Sequence, residues 1–184
     1  MKKMTFRTFI FVAAGCTGIL TALAALGYAH SSAGWLLSCA ITFGTTFYHL
    51  AMRLLVGHLI PNTFDYHSHW FQPKPFEAKL YRTLRVKKWK DRMPTYDPRL
   101  FSMTENTPEQ ILRNMCQSEI VHEVIVLLSF IPLLFSLLWD SFFVFLITSI
   151  FAAVTDTSFV ILQRYNRPRV ERLMNRQNSR RCTP

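Results

Sequence analysis

At 184 residues the chain has the length of one domain, and half of its residues are hydrophobic. It carries 21 Lys and Arg against 11 Asp and Glu, a formal charge of +10, yet its mean hydropathy is +0.16. Both hold only if greasy and basic residues are segregated along the chain, which excludes a water-soluble core built from amphipathic elements.

In chain order, apolar runs at residues 8–28, 35–56, 121–138 and 142–162 each approach the roughly 20 residues that a helix needs to cross a bilayer. The spacing predicts four transmembrane helices in one integral membrane domain, residues 1–184. Lys2, Lys3 and Arg7 precede the first run, and the link to the second has no Lys or Arg. Ten basic residues lie between Lys74 and Arg113, and the tail from Arg164 holds seven Arg. The turn "LLWDSF" after the third run has an Asp and no basic residue. The positive-inside rule then puts both termini, the loop 57–120 and the basic tail 163–184 in the cytoplasm of a multi-pass cell-membrane protein.

An alternative takes the N-terminus as a signal peptide, since "AAGC" ending at Cys16 loosely resembles a lipoprotein cleavage box. The apolar run continues about a dozen residues past Cys16, whereas a signal ends soon after a core of roughly 7–15 residues, so an uncleaved span is expected. Cys16, Cys39, Cys116 and Cys182 share no close spacing, which argues against a disulfide framework or a zinc knuckle. The ending "RCTP" is not a prenylation box.

Within the loop, "FEAKLYRTLRVKKWKDRMP" sets Phe76, Leu80 and Leu84 at i, i+4 and i+8, with Lys79, Arg82, Lys87 and Lys90 mostly elsewhere around the helix. With Trp70 and Trp89 nearby, this predicts an amphipathic helix lying in the headgroup plane, broken by Pro94 and Pro98. Basic residues mixed with aromatics also suit nucleic acid, but flanking membrane spans they are explained by topology and anionic lipid headgroups, so no nucleic-acid partner is expected. Farther on, Thr107 can cap a helix with Pro108 in its first turn and Glu109 near its positive end. Nothing stops that helix before Pro132.

Polar residues in apolar runs mark candidate chemistry. Glu119, His122 and Glu123, at i, i+3 and i+4, share one helix face where the rod enters lipid. Their bland reading is a stop-transfer edge whose carboxylates reach water. Asp156 lies seven residues before Gln163, about 10 Å deeper on the same helix face. It needs a proton or a partner, with His122, His49 and Arg53 as candidates, and its bland reading is an interhelical hydrogen bond. His67 and His69 form an H-x-H able to bind metal, but the E-x-x-H of the di-iron bundles occurs once, and neither metal nor cofactor is expected.

The stretch "QRYNRPR" follows the last run. Arg164, Arg167 and Arg169 suit bidentate binding of phosphate or carboxylate, Tyr165 and Asn166 add neutral hydrogen-bonding groups, and Pro168 is expected to end the helix. Three stretches, "VKKWKDRMP" (86–94), "SEIVHE" (118–123) and "ILQRYNRPR" (161–169), resemble the glycosyl-4,4'-diaponeurosporenoate acyltransferase family, small membrane enzymes of the last step of staphyloxanthin-type carotenoid synthesis. The resemblance runs from about residue 62 to 172.

It implies acyl transfer to a hydroxyl of a lipid-linked sugar such as a carotenoid glycoside. Glu119 and His122 occupy the family's E-x-x-H, and residues 163–169 its C-terminal signature. Where the family commonly has Asn-x-Pro, this chain has Asp156, Thr157 and Ser158. His122, Glu119 and Asp156 are thereby the candidate catalytic residues. Gln163, Arg164, Tyr165, Asn166, Arg167, Arg169, Trp89 and Lys90 are candidates for binding substrate. The expected partners are an acceptor lipid or glycolipid, an acyl donor such as acyl-CoA acting as cosubstrate, and anionic headgroups at the basic loop and tail. The alternatives are another small lipid-modifying transferase, such as a methyltransferase, or a membrane accessory protein without activity.

Overall fold

A computed structural model describes residues 3–26, 33–94, 97–137 and 141–182. Apolar runs without β-branched alternation form long helices, and the described residues contain no strand. The helices are α1 (Lys3–Leu26), α2 (Ala33–Leu59), α3 (Glu77–Thr83), α4 (Val86–Trp89), α5 (Pro108–Leu128) and α6 (Phe142–Cys182). Short 3-10 turns occupy Lys90–Arg92, Pro98–Phe101 and Ile131–Leu137.

Three segments among the described residues are long and apolar enough to cross a membrane, not four: Gly34–Leu59, Pro108–Leu137 and Phe142–Gln177. The first apolar run contributes a shorter stretch, Thr8–Ala24, below the roughly 20 residues a crossing needs. Its N-terminal turn carries Lys3 and Arg7, and its expected end at Gly27 and Tyr28 lies outside the described residues, as do Leu138, Trp139 and Asp140 of the turn after the third run. At most 28% of each crossing window is buried within the chain. Leu127, Phe143 and Phe151 stand about three-quarters exposed, as lipid-facing side chains do.

Two further expectations change. The amphipathic segment is not one helix, because α3 ends at Thr83 and Arg85 takes a left-handed backbone (φ 50°) before α4 begins. Its apolar stripe, Phe76, Leu80 and Leu84, is exposed all the same. Nor does Pro168 end the last helix: α6 runs through it for 41 residues. Proline withdraws the N–H that would bond the carbonyl four residues back. Here the helix is held on either side by side chains: Arg169 donates to the Tyr165 carbonyl at 2.8 Å and Arg172 to that of Pro168 at 3.0 Å.

The residues group into two compact units. Of the described residues, one unit comprises those in 57–123 and 157–182, the other those in 3–56 and 124–156. In the first unit α5 opens on a capping box. Thr107 N–H donates to Gln110 Oε1 at 2.8 Å and Gln110 N–H to Thr107 Oγ1 at 3.2 Å, so Gln110 completes the cap that Thr107 begins. Asn114 donates to the Leu100 carbonyl and Gln117 to that of Ile60, both at 2.7 Å, tying the loop to the helix. In the second unit Tyr48 donates to the Leu128 carbonyl at 2.9 Å. Helices α1 and α2 approach closely at Gly44, where an added Cβ would meet Thr17 Cγ2 at 3.3 Å. Nothing lies within 4 Å of the equivalent point on Gly18. Close backbone approach is the packing that small residues allow in lipid. Gly44→Leu is therefore expected to lower the thermal unfolding midpoint in detergent, and Gly18→Leu to leave it nearly unchanged.

Candidate active site

The first unit is built around Glu119, which has no exposed surface. Helical spacing sets Cys116, Glu119 and His122 along one face of α5, and Arg164 and Arg167 along one face of α6. Arg164 Nη1 donates to Glu119 Oε1 at 2.5 Å, and Arg167 Nη1 to Oε2 of the same carboxylate. Arg164 also reaches Glu77 Oε1 through Nε at 2.8 Å, and Glu77 is itself 4% exposed. Two carboxylates thus face two guanidiniums, and the charge of the cluster cancels.

Further guanidinium protons go to backbone, and Arg167 Nη1 also reaches Cys116 Sγ at 3.9 Å. Arg164 donates to the carbonyls of Trp70 and Gln72, and Arg167 to that of Phe71, so three consecutive carbonyls converge on the pair. The Phe71 ring lies 5.0 Å from the Arg167 guanidinium carbon. Charge pairing with added hydrogen bonds is what makes a buried ion cluster tolerable. Gln163 donates to Ser118 Oγ at 3.2 Å, joining α6 to α5 one turn away.

Around this core the neighbours are graded in exposure. Tyr81 donates to Glu77 Oε2 at 2.7 Å and packs edge-on against Tyr165, their centroids 5.2 Å apart. Burial, reinforced by the bond to Glu77, raises the Tyr81 hydroxyl well above the usual phenol range. Arg169 is exposed, stacks on the Tyr165 ring at 3.7 Å and approaches Asn166 Oδ1 at 3.4 Å. His122 is half-buried and stacks on Phe159 with centroids 4.7 Å apart and planes at 12°. Glu123, also half-buried, accepts from Trp70 Nε1 at 3.2 Å.

Of the residues expected from sequence, Glu119, His122, Gln163, Arg164, Tyr165, Asn166, Arg167 and Arg169 all fall within this unit. Trp89 and Lys90 lie in the same unit but bond locally, away from the cluster, Trp89 to the Leu84 carbonyl at 3.0 Å and Lys90 to Asp91 at 2.6 Å. Arg164 and Arg167 point into protein, so their first task is to neutralise Glu119. Glu77 and the carbonyls of residues 70–72 were missed by the sequence reading. One signal pointed to them: two Arg leaving an apolar helix need anionic or carbonyl partners, and Glu77 comes just after "WFQPKPF".

The second unit holds a separate ion pair. Arg53 grips Asp156 with both arms of its fork, Nε to Oδ1 at 3.1 Å and Nη2 to Oδ2 at 2.6 Å. Asp156 is fully buried, and Arg53 is one of the partners its position allowed. His49, one turn before Arg53, is 6% exposed, and neither ring nitrogen has a hydrogen-bond partner among the described residues.

Breaking the Glu119 cluster strands buried charge, which typically costs about 3–5 kcal/mol. Glu119→Gln is expected to destabilise the protein on that scale in chemical unfolding. Arg113→Gln, which removes the exposed i,i+4 pair with Glu109, should change stability by no more than about 1 kcal/mol.

Searches of curated proteins and of solved structures find no match for this chain. A family model does match, over residues 67–176, more than half of the chain and a span that holds Glu77, Glu119, His122 and the whole of residues 163–169. The described family is glycosyl-4,4'-diaponeurosporenoate acyltransferase, and the matched span contains the buried cluster and the histidine beside it. The chain belongs to the glycosyl-4,4'-diaponeurosporenoate acyltransferase family.

Proposed function

We propose that this protein is a membrane O-acyltransferase that esterifies a hydroxyl of a glycosylated lipid, such as a carotenoid glycoside, with a fatty acyl group. The observation that carries the reading is the placement of His122 one turn beyond Glu119 within the span matched by an acyltransferase family. Three apolar helices suit an enzyme whose acceptor is dissolved in the bilayer. The excess of Lys and Arg in the loop and tail favours a cytoplasmic position for both.

In this reading His122 takes the proton of the acceptor hydroxyl. The oxygen attacks the acyl carbonyl of a thioester donor such as acyl-CoA. The new C–O bond forms, the C–S bond breaks, and the thiolate leaves to pick up a proton. Stacking on Phe159 fixes the plane of the imidazole. Glu119, clamped by two guanidiniums, is a positioning residue that holds α5 against α6 and thereby His122 in place. Glu123, free of a cationic partner among the described residues, is the carboxylate to balance an imidazolium, since it accepts from the neutral Trp70 indole. Arg169, exposed at the end of the signature, is available to a developing oxyanion or to donor phosphate. Asp156 is assigned to charge balance with Arg53 in its own unit.

Lipid mass spectrometry of cells with and without the chain tests the reading. A glycolipid or pigment is expected to gain a fatty-acyl mass with the intact protein. With His122→Ala the gain should fall by roughly two orders of magnitude or more, the usual worth of general-base catalysis, at unchanged protein level. An acylated product that persists undiminished in the variant removes His122 from the reaction, and no acylated species with the intact chain removes acyl transfer.

A further inference from the structure

The first unit carries a second feature outside the Glu119 cluster. A groove of about 480 Å3 opens between α3, α4 and α6, lined by Ala78, Tyr81, Arg82, Arg85, Lys87, Lys88 and Tyr165. Its four cations are all exposed, and no carboxylate lines it. None of the four makes an ion pair or side-chain hydrogen bond among the described residues. Elsewhere in the unit, Arg113, Arg164 and Arg167 are each matched to a carboxylate. Like charges crowded into a concave surface repel one another and raise the local potential, which a bound anion relieves.

The backbone supports the same conclusion. Arg85 is the one non-glycine residue at positive φ among the described residues. It sits just past the C-cap Leu84 of α3, the position where helices customarily place glycine. A long cationic side chain at a glycine position is strained, and strain of that kind collects at ligand clamps. The groove is also wired to the cluster, because Tyr81 lines it and bonds Glu77, which binds Arg164.

We infer that this groove binds the phosphate groups of the acyl donor. The identity of the ligand as a donor rests on the acyl-transfer reading, whereas phosphate binding does not. Arg82 and Arg85 supply forks that match phosphate oxygens, and Lys87 and Lys88 supply point charges. Tyr81 and Tyr165 form the aromatic wall. The same chemistry serves a soluble nucleotide carrier or a phospholipid headgroup.

The test uses the full chain in nanodiscs, with coenzyme A as the soluble probe in pure phosphatidylcholine discs. Phosphatidylglycerol retained from mixed discs, measured by mass spectrometry, is the lipid probe. Coenzyme A binding that weakens at least about tenfold in Arg82→Gln/Arg85→Gln/Lys87→Gln/Lys88→Gln supports a nucleotide carrier. Retention of phosphatidylglycerol that the variant loses, without coenzyme A binding, supports a lipid donor. Uptake of neither probe by the intact chain, or equal uptake by the variant, overturns the proposal. Arg82→Gln and Lys88→Gln singly, each expected to weaken binding severalfold, keep the test informative if the quadruple variant folds poorly. Arg85→Gly is expected to raise the unfolding midpoint and yet weaken probe binding, which a purely structural Arg85 would not do. His122→Ala should bind the probe normally while losing transfer, so failure of the groove and failure of the acyl-transfer reading register in different assays.

Discussion

A carboxylate with no solvent contact must be neutralised where it stands, and Glu119 meets that constraint with two guanidiniums. Satisfying those three groups at once draws in several other parts of its unit. The guanidiniums have more donors than one carboxylate can accept, so Glu77 and the carbonyls of Trp70, Phe71 and Gln72 are drawn in. The segment before α3 is thereby wrapped around α6. Glu77 in turn fixes Tyr81, and Tyr81 fixes the place of Tyr165. A hydrophobic replacement of similar volume often makes a fold as stable or more so. A full ion cluster instead ties α5 to α6 in one register through directed bonds.

The second unit solves a smaller version of the same problem. Asp156 is as buried as Glu119, and there a single arginine fork addresses both of its oxygens. In both cases arginine rather than lysine does the neutralising, and the planar fork is the reason: it delivers two directed hydrogen bonds to a carboxylate in a setting where an unsatisfied lone pair is costly. Arg53 is the charge that lets a carboxylate stand at Asp156 inside an apolar helix.

The signature stretch at residues 163–169 combines three jobs along two helical turns. Gln163, Arg164 and Arg167 face inward and build the cluster, whereas Arg169 faces outward over Tyr165. Tyr165 separates the two, touching Tyr81 on one side and Arg169 on the other. Pro168 sits among them without stopping the helix, because the residues on both sides are anchored by their own side chains. A motif dense in Arg is therefore not a uniform patch of positive charge but a sorted one.

Sequence alone determined what depends on local order. Apolar length marked three crossing segments and over-counted a fourth at residues 8–28, charge segregation excluded a soluble core, Thr107 and Pro108 marked the start of α5, and the stretches around His122 and Asn166 identified the family. Each of these is a property of residues within a few turns of one another, where helical periodicity is the only geometry needed. The tertiary structure decided which charges meet. Arg164 finds Glu77 across 87 positions and Arg53 finds Asp156 across 103, and no spacing rule reaches that far. It also decided that the basic segment bends at Arg85 and that Pro168 is carried inside a helix. Backbone propensity is weak beside a satisfied cluster of buried charge, and that balance is settled only when distant parts of the chain come together.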